Sequence, residues 1–550
     1  MRNFLSKSAV LFLGVFFLNG CDENAQKPAE TSLTVDASAT PEFSQSRRQL
    51  LVRGVYADLS LNPLQASNIE QAAFLRDLFE GLVIYDTKGN IVPAVAENWQ
   101  TQDNKTWQFT LRETAKWSNG DPVTAGDFEY AWKRVINPET GADYAGLFFV
   151  IEGAQAYNEG KGRADQVGVK AIDDTTLEVK LVNPTAYFLS LTSFYAFAPV
   201  NKKVVEANAD WADDLSDKYV TNGAFKLAEW NHNADLALEK NDQYWDKDNV
   251  KVDRVNAQIV ESDSTVTKMF QSGEIDFVSA PFGTLSLDSF EGFKKQGILK
   301  VTPQSAIYVY KLNTKDPVMS NVNIRKALAL AIDRQGLVTN ITKAEQKPAK
   351  GIVPASVTGF ETDANYFKDA DYEGAKEYLA KGLQELGLKD PSELTVKISM
   401  NTSEAHAAIA QYIQEGWSKN LGIKVELDNS EFQVYLDRLK TGDFQVARLG
   451  WSGDFNDALT FLDQYRSADA GNNYTGWENA DYAKYLEEAA KETDANKRLE
   501  ILKKAEKVLM DEMPVIPIYD YTQVSVKKDN IKGLATSPLG KIDLKYLEVE

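Results

Sequence analysis

The chain carries one cysteine and two histidines in 550 residues. A single cysteine excludes an intrachain disulfide, and the count excludes a His–Cys zinc cluster. His232 and His406 are far apart, so no H-E-x-x-H zinc helix exists. Positive charge is also short: 60 basic against 80 acidic residues give a net charge of -20, the wrong sign for a partner made of phosphates. Nucleic acid is therefore not an expected partner. The chain lacks a Gly-rich phosphate loop ending in Lys-Ser/Thr and a G-x-S-x-G elbow. Carboxylate pairs such as Asp454 with Asp457 occur, but 80 acids generate such spacings by chance. Catalysis, a cofactor and a metal are all unexpected.

Long apolar runs are missing beyond the first twenty residues. The one run, Ala9 to Leu18, follows Arg2 and Lys7. It is too short to cross a ~30 Å hydrocarbon layer and has the form of a secretory h-region. Leu18-Asn19-Gly20-Cys21 comes next and resembles a bacterial lipobox, which implies cleavage before Cys21 and a lipid on its sulfur. Asn19 departs from the small residue usual in that pattern. The alternative is an ordinary signal peptide with Cys21 left free, and either reading predicts export. Loss of residues 1–20 removes two basic and no acidic residues, moving the net charge from -20 to -22. Residues 22–49 are rich in Ala, Ser, Thr, Glu and Pro and read as a tether, reaching roughly 30 Å as a coil.

What the chain does have is ordinary globular composition, 43% hydrophobic and 25% charged, and length for two to four domains. Strand and helix periodicities alternate throughout. Leu50 to Val52 reads as a strand, and Ala73, Leu75, Leu78, Phe79 and Leu82 as one helical face. Thr106–Leu111 and Thr176–Leu181 alternate with period two, and Ala224–Trp230 with Ala234–Glu239 reads as a hairpin. Helices are predicted over Gly126–Ile136, Asn323–Asp333, Glu404–Asn420, Glu431–Thr441 and Asn496–Asp511. Strands are predicted over Leu394–Met400, Lys424–Asp428 and Phe444–Leu449. The mixture indicates α/β lobes, without an internal repeat. Aromatics are plentiful, with 10 Trp, 23 Tyr and 26 Phe, enough for cores and for flat walls around an organic ligand.

The segment from Pro93 holds Ala96-Glu97-Asn98-Trp99, Phe109-Thr110-Leu111-Arg112, Trp117-Ser118-Asn119-Gly120-Asp121-Pro122-Val123-Thr124-Ala125 and Asp127-Phe128. Further landmarks are Asp77 to Leu82, Thr221 to Phe225, Asn241 to Trp245, Ser272 to Asp276, Ile324 to Leu328, and Gly450-Trp451 with Asp454. This ordered set, over about residues 50–550, resembles the periplasmic oligopeptide-binding family, substrate-binding subunits of ABC importers. Most of these motifs read as scaffold: Gly120-Asp121-Pro122 is turn chemistry, and Asp127 and Thr124 compete to cap the following helix.

The resemblance implies a two-lobed type II periplasmic binding protein fold with an additional domain and mixed sheets. It implies residues 50–79, 204–305 and 522–550 as a discontinuous domain I, 80–203 as domain II, and 306–521 as domain III, with hinges near 305 and 521. It also implies a monomer that binds short peptides and delivers them to a permease and ATPase at the membrane, to which the lipid holds it. Asp454 would take the peptide ammonium, with Trp451 and Tyr144 beside it. Arg448 and His406 would face the C-terminal half. Ile69 and Phe432 also fall on ligand-lining positions. The chain departs from the family pattern at Ser67, where a second carboxylate is usual and Glu70 lies three residues on, and at Leu439, a basic position here flanked by Arg438 and Lys440. The alternatives are a non-peptide solute (murein peptide derivative, oligosaccharide or metal chelate) on the same fold, or a surface-anchored hydrolase.

Overall fold

The computed structural model describes residues 49–53, 60–66, 68–86, 90–185, 187–357, 359–360, 365–534 and 539–550. The signal segment, Cys21, the tether to residue 48, and Ser67 lie outside the described residues. Among the described residues no helix is long and apolar enough to cross a membrane.

Residues 47–550 form one compact unit. Its backbone is an eleven-stranded mixed sheet. From one edge the order is Lys424–Ser430, Thr395–Asn401, Val446–Ser452, Lys300–Leu312 and Val515–Lys527. It continues through Phe277–Ser279, Gln49–Arg53, Arg254–Gln258, Asp235–Lys240 and Phe225–Asn231, with Lys347–Pro348 paired off this path. Two parallel clusters, around Gln49–Arg53 and Thr395–Asn401, are joined by the long antiparallel pair Lys300–Leu312 and Val515–Lys527. That pair carries the chain across both expected hinge positions. Its register slips between Pro303 and Ile307, opposite Thr522 and Asp520. A second, antiparallel sheet contains Ala96–Thr101, Thr106–Leu111, Thr176–Lys180 and Val169–Ala171.

Period-two alternation in Thr106–Leu111 buries Trp107, Phe109 and Leu111. Against this sheet packs the helix Ala125–Val135, whose Phe128, Ala131, Trp132 and Val135 are fully buried. Each such large side chain contributes about 1.5–3 kcal/mol on leaving water. Thr124 and Asp127 do not compete for the cap: Thr124 is the N-cap, and its N–H donates back to Asp127 at 2.9 Å. The helix expected to reach Leu82 stops at Leu78, because Phe79 is extended and Asn222 clasps the backbone of Glu80 from both sides. Phe79 and Leu82 are nevertheless buried.

The motif segments knot together. Ser118 N–H donates to the Thr221 carbonyl, Asn241 to the Gly223 carbonyl, and Trp245 Nε1 to Glu80 at 2.6 Å. Tyr244 also bonds the Glu80 carboxylate, and Arg112 lies over Trp245 at 3.9 Å. Gly223 is required here: a Cβ would sit 2.4 Å from the Asp77 carbonyl oxygen. These motifs build the scaffold.

Candidate functional site

Strand Val446–Ser452 lies between Thr395–Asn401 and Lys300–Leu312, with Arg448 opposite Tyr310 and Gly450 opposite Tyr308. Opposed residues two apart share one face. Gly450 leaves that face open, and the Tyr521 hydroxyl approaches to 2.9 Å of where its Cβ would be. Tyr521 accepts a hydrogen bond from Arg448 Nη2 at 2.9 Å, and Asn401 Oδ1 accepts one from Nη1 at 3.2 Å. The guanidinium stands 4.9 Å over the Tyr308 ring. Its Nε is buried without a partner. Among the described residues, all hydrogen-bonding partners of this cation are neutral. Glu70 feels the charge of Arg448, but burial is the larger effect and raises its pKa.

His406 enters from the first turn of the helix Glu404–Leu421, its N–H donating to the cap residue Ser403. Nδ1 lies 3.4 Å from the Tyr308 hydroxyl. Burial, then the charge of Arg448, push its pKa well below the ordinary histidine value, so the ring is neutral. Arg448 and His406 thus meet through Tyr308. Leu439 is buried, and the cations beside it are engaged: Arg438 with Asp428 at 2.7 Å, Lys440 with Asp143 at 3.8 Å.

Six residues along from Arg448, Asp454 is 7% exposed. Its N–H donates to Thr460 Oγ1 at 3.0 Å, and that hydroxyl lies 3.3 Å from Oδ2. Burial raises the Asp454 pKa, while Lys541 and the hydroxyls of Thr460 and Tyr144 oppose the rise. Trp451 Nε1 donates to the Thr460 carbonyl at 2.8 Å, which ties its ring to the same turn. Tyr144 packs edge-on against Phe194 at 4.9 Å. Asp457 has its own partner, a bidentate pair with Arg498 at 2.7 and 2.9 Å.

The structure therefore gathers the named residues into two clusters: Asp454, Tyr144 and Trp451 around Thr460, and Arg448 with His406 around Tyr308. Ile69 stands 48% exposed at the start of its helix and joins neither cluster. Phe432 opens the helix Phe432–Thr441, whose Tyr435 hydroxyl donates to the Arg448 carbonyl at 2.6 Å. Thr460, Tyr308, Tyr521, Asn401 and Lys541 are additions to the sequence reading. The tyrosines carried a signal, since Tyr308-Val309-Tyr310 and Tyr519-Asp520-Tyr521 put polar rings on one face of neighbouring strands.

Contacts bridge the segments 80–203 and 306–521: Tyr187 stacks on Phe455 at 5.2 Å, and Lys440 reaches Asp143. Mixed α/β lobes that touch across these segments, with an anion in one cluster and a cation in the other, fit a solute-binding protein. The model of the bacterial extracellular solute-binding proteins, family 5 (middle), matches residues 90–473, and the chain belongs to that family. The oligopeptide-binding protein OppA of Bacillus subtilis is 48% identical over 486 residues, covering 88% of this chain and 89% of its own length. Haemophilus influenzae OppA in complex with RPPGFSPFR superposes with a TM-score of 0.86 at 33% identity, over 92% of this chain and 99% of that one. The unliganded open form of the murein tripeptide binding protein MppA, also 33% identical, over 92% of this chain and 98% of that one, gives only 0.64. The lobes of this structure are thus arranged as in that peptide complex and not as in the open form.

Proposed function

We propose that this chain is the substrate-binding subunit of an ABC importer, capturing short peptides in extended form by lobe closure and presenting them to a membrane permease. One observation carries the reading: a half-buried guanidinium whose hydrogen-bond partners among the described residues are all neutral lies on the same run of chain as a buried carboxylate. An extended peptide supplies a carboxylate and an ammonium at its two ends, and backbone groups between them for strand-like pairing. Six residues of extended chain cover at most about 20 Å, which suits a ligand of a few residues. A plain oligosaccharide offers no charge to either cluster, which ranks it below a peptide. The peptide ligand of the Haemophilus relative supports the same choice.

In this reading residues 50–79, 204–305 and 522–550 form one domain, 80–203 a second and 306–521 a third. The lobes turn where the register of Lys300–Leu312 against Val515–Lys527 slips. Cys21 carries the lipid that holds a monomer at the outer face of the cytoplasmic membrane, and no reaction is catalysed. Native mass spectrometry of the soluble form from Asp22 onward tests it. Discrete mass increments that fragment as short peptides are expected; bare protein, or a single non-peptide mass, overturns it.

A further inference from the structure

A buried carboxylate needs a cation, because an unpaired one costs several kcal/mol. If the ligand alone supplied it, the residues around Asp454 would offer hydroxyls and rings only. Instead Lys541, from the C-terminal segment, donates from Nζ to the Asp454 carbonyl oxygen at 2.9 Å. The ammonium lies 5.5 Å from the Phe194 ring and 5.9 Å from the Tyr85 ring. Burial and the charge of Arg76 lower the Lys541 pKa to about 7 and burial raises that of Asp454 to about 7, while the charges of the two act on each other, each favouring the other's ionised form. The backbone before it is tightly set. Gly540 has φ +71°, and a Cβ there would lie 2.1 Å from Gln304 Nε2. Gln523 Nε2 also donates to the Gly540 carbonyl at 3.3 Å.

We propose that Lys541 is a specificity-determining residue that supplies a resident cation to Asp454, so that this end of the cleft accepts peptides whether or not their N-terminus is a free ammonium. The inference rests on the peptide reading above. Lys541 also lines a cavity of about 40 Å³, with room for roughly one water, whose wall includes Asp543. Asp543, which Arg76 holds at 3.2 Å, favours the charged form of Lys541, so the ammonium has a shared anion to turn toward when a ligand ammonium arrives. A free N-terminus is therefore tolerated without being demanded.

The test is calorimetric titration, at neutral pH, of a short alanine peptide and its N-acetyl derivative into wild type, Lys541→Met and Lys541→Gln. In wild type, acetylation is expected to weaken binding by less than about tenfold, since Asp454 keeps a cation. In both variants acetylation leaves Asp454 unpaired and is expected to cost about a hundredfold or more. Gln keeps a donor for the Asp454 carbonyl without the charge, so it carries the test if Met fails to fold. Equal acetylation costs in wild type and variants, or a hundredfold cost already in wild type, would overturn the assignment to Lys541. If wild type binds neither peptide nor any other member of the alanine series, the peptide reading itself falls, and this inference with it.

Discussion

The two ends of the cleft satisfy buried charge in opposite ways. At Asp454 three separated stretches of chain converge on an anion, and one of them brings Lys541. At Arg448 the surroundings are tyrosines, an asparagine amide and a neutral histidine, Nε has no partner among the described residues, and Glu70 feels the charge from farther off. At the first end a lysine hydrogen-bonds the acid's own backbone; at the second, Glu70 feels the cation without hydrogen-bonding to it among the described residues. Association is favoured most where a ligand charge answers a protein charge that has no other partner. The carboxylate end of a peptide should therefore decide affinity, and the ammonium end should modulate it.

The strongest way to break this asymmetry is Arg448→Met. Loss of the fork should weaken peptide binding by about a thousandfold, near 4 kcal/mol, and should make binding insensitive to C-terminal amidation. A calorimetric titration with free and amidated peptides checks both. Arg448→Lys should recover only part, because a point charge cannot replace a planar fork stacked on Tyr308.

Asp454→Asn should cost less. With the carboxylate gone a free-ammonium peptide loses the anion at its N-terminus and should bind about thirtyfold more weakly, while its acetylated form changes only a few-fold. Equal losses for the two peptides, measured the same way, would remove Asp454 from recognition of the N-terminus.

The smallest effect concerns stability. His406 is neutral in the fold, with its pKa depressed by burial and by Arg448. In the unfolded chain it takes up a proton near pH 6.5. Between that value and the lower folded one the unfolded state binds more protons, so this residue's contribution to stability falls as pH falls. The slope is at most about 1.4 kcal/mol per pH unit. Thermal melts of wild type and His406→Gln from pH 7 downward should diverge in that sense, with wild type losing more. Any change in peptide affinity between pH 7 and pH 6 should be the same in wild type and His406→Gln, because the folded ring stays neutral.

Local pattern carried most of the secondary structure. The strand Thr106–Leu111 keeps its predicted bounds, and the helix Glu404–Leu421 extends one residue beyond those read from periodicity. Where pattern failed, a distant residue decided. Leu82 continues the apolar helical face of Leu75 and Leu78, yet Asn222, far along the chain, holds Glu80 in an extended bend. The same limit applied to the site. Asp454 and Arg448 stand out through family motifs, and neighbouring tyrosines show as alternation in strands. Lys541 lies 87 positions from Asp454 in the stretch Lys541-Ile542-Asp543-Leu544-Lys545, whose alternation marks Ile542 and Leu544 as core but says nothing of what the charged side chains meet. Only the fold brings them together. Ser67 suggested an amine site short of one acid; Lys541 makes that end less negative still.

The most direct measurement compares two modifications of one ligand on wild-type protein: amidation of the carboxylate and acetylation of the ammonium of the tightest-binding short alanine peptide, each titrated calorimetrically. The account predicts that amidation weakens binding by about a hundredfold or more and acetylation by less than about tenfold. Acetylation costing as much as amidation, or more, would contradict it.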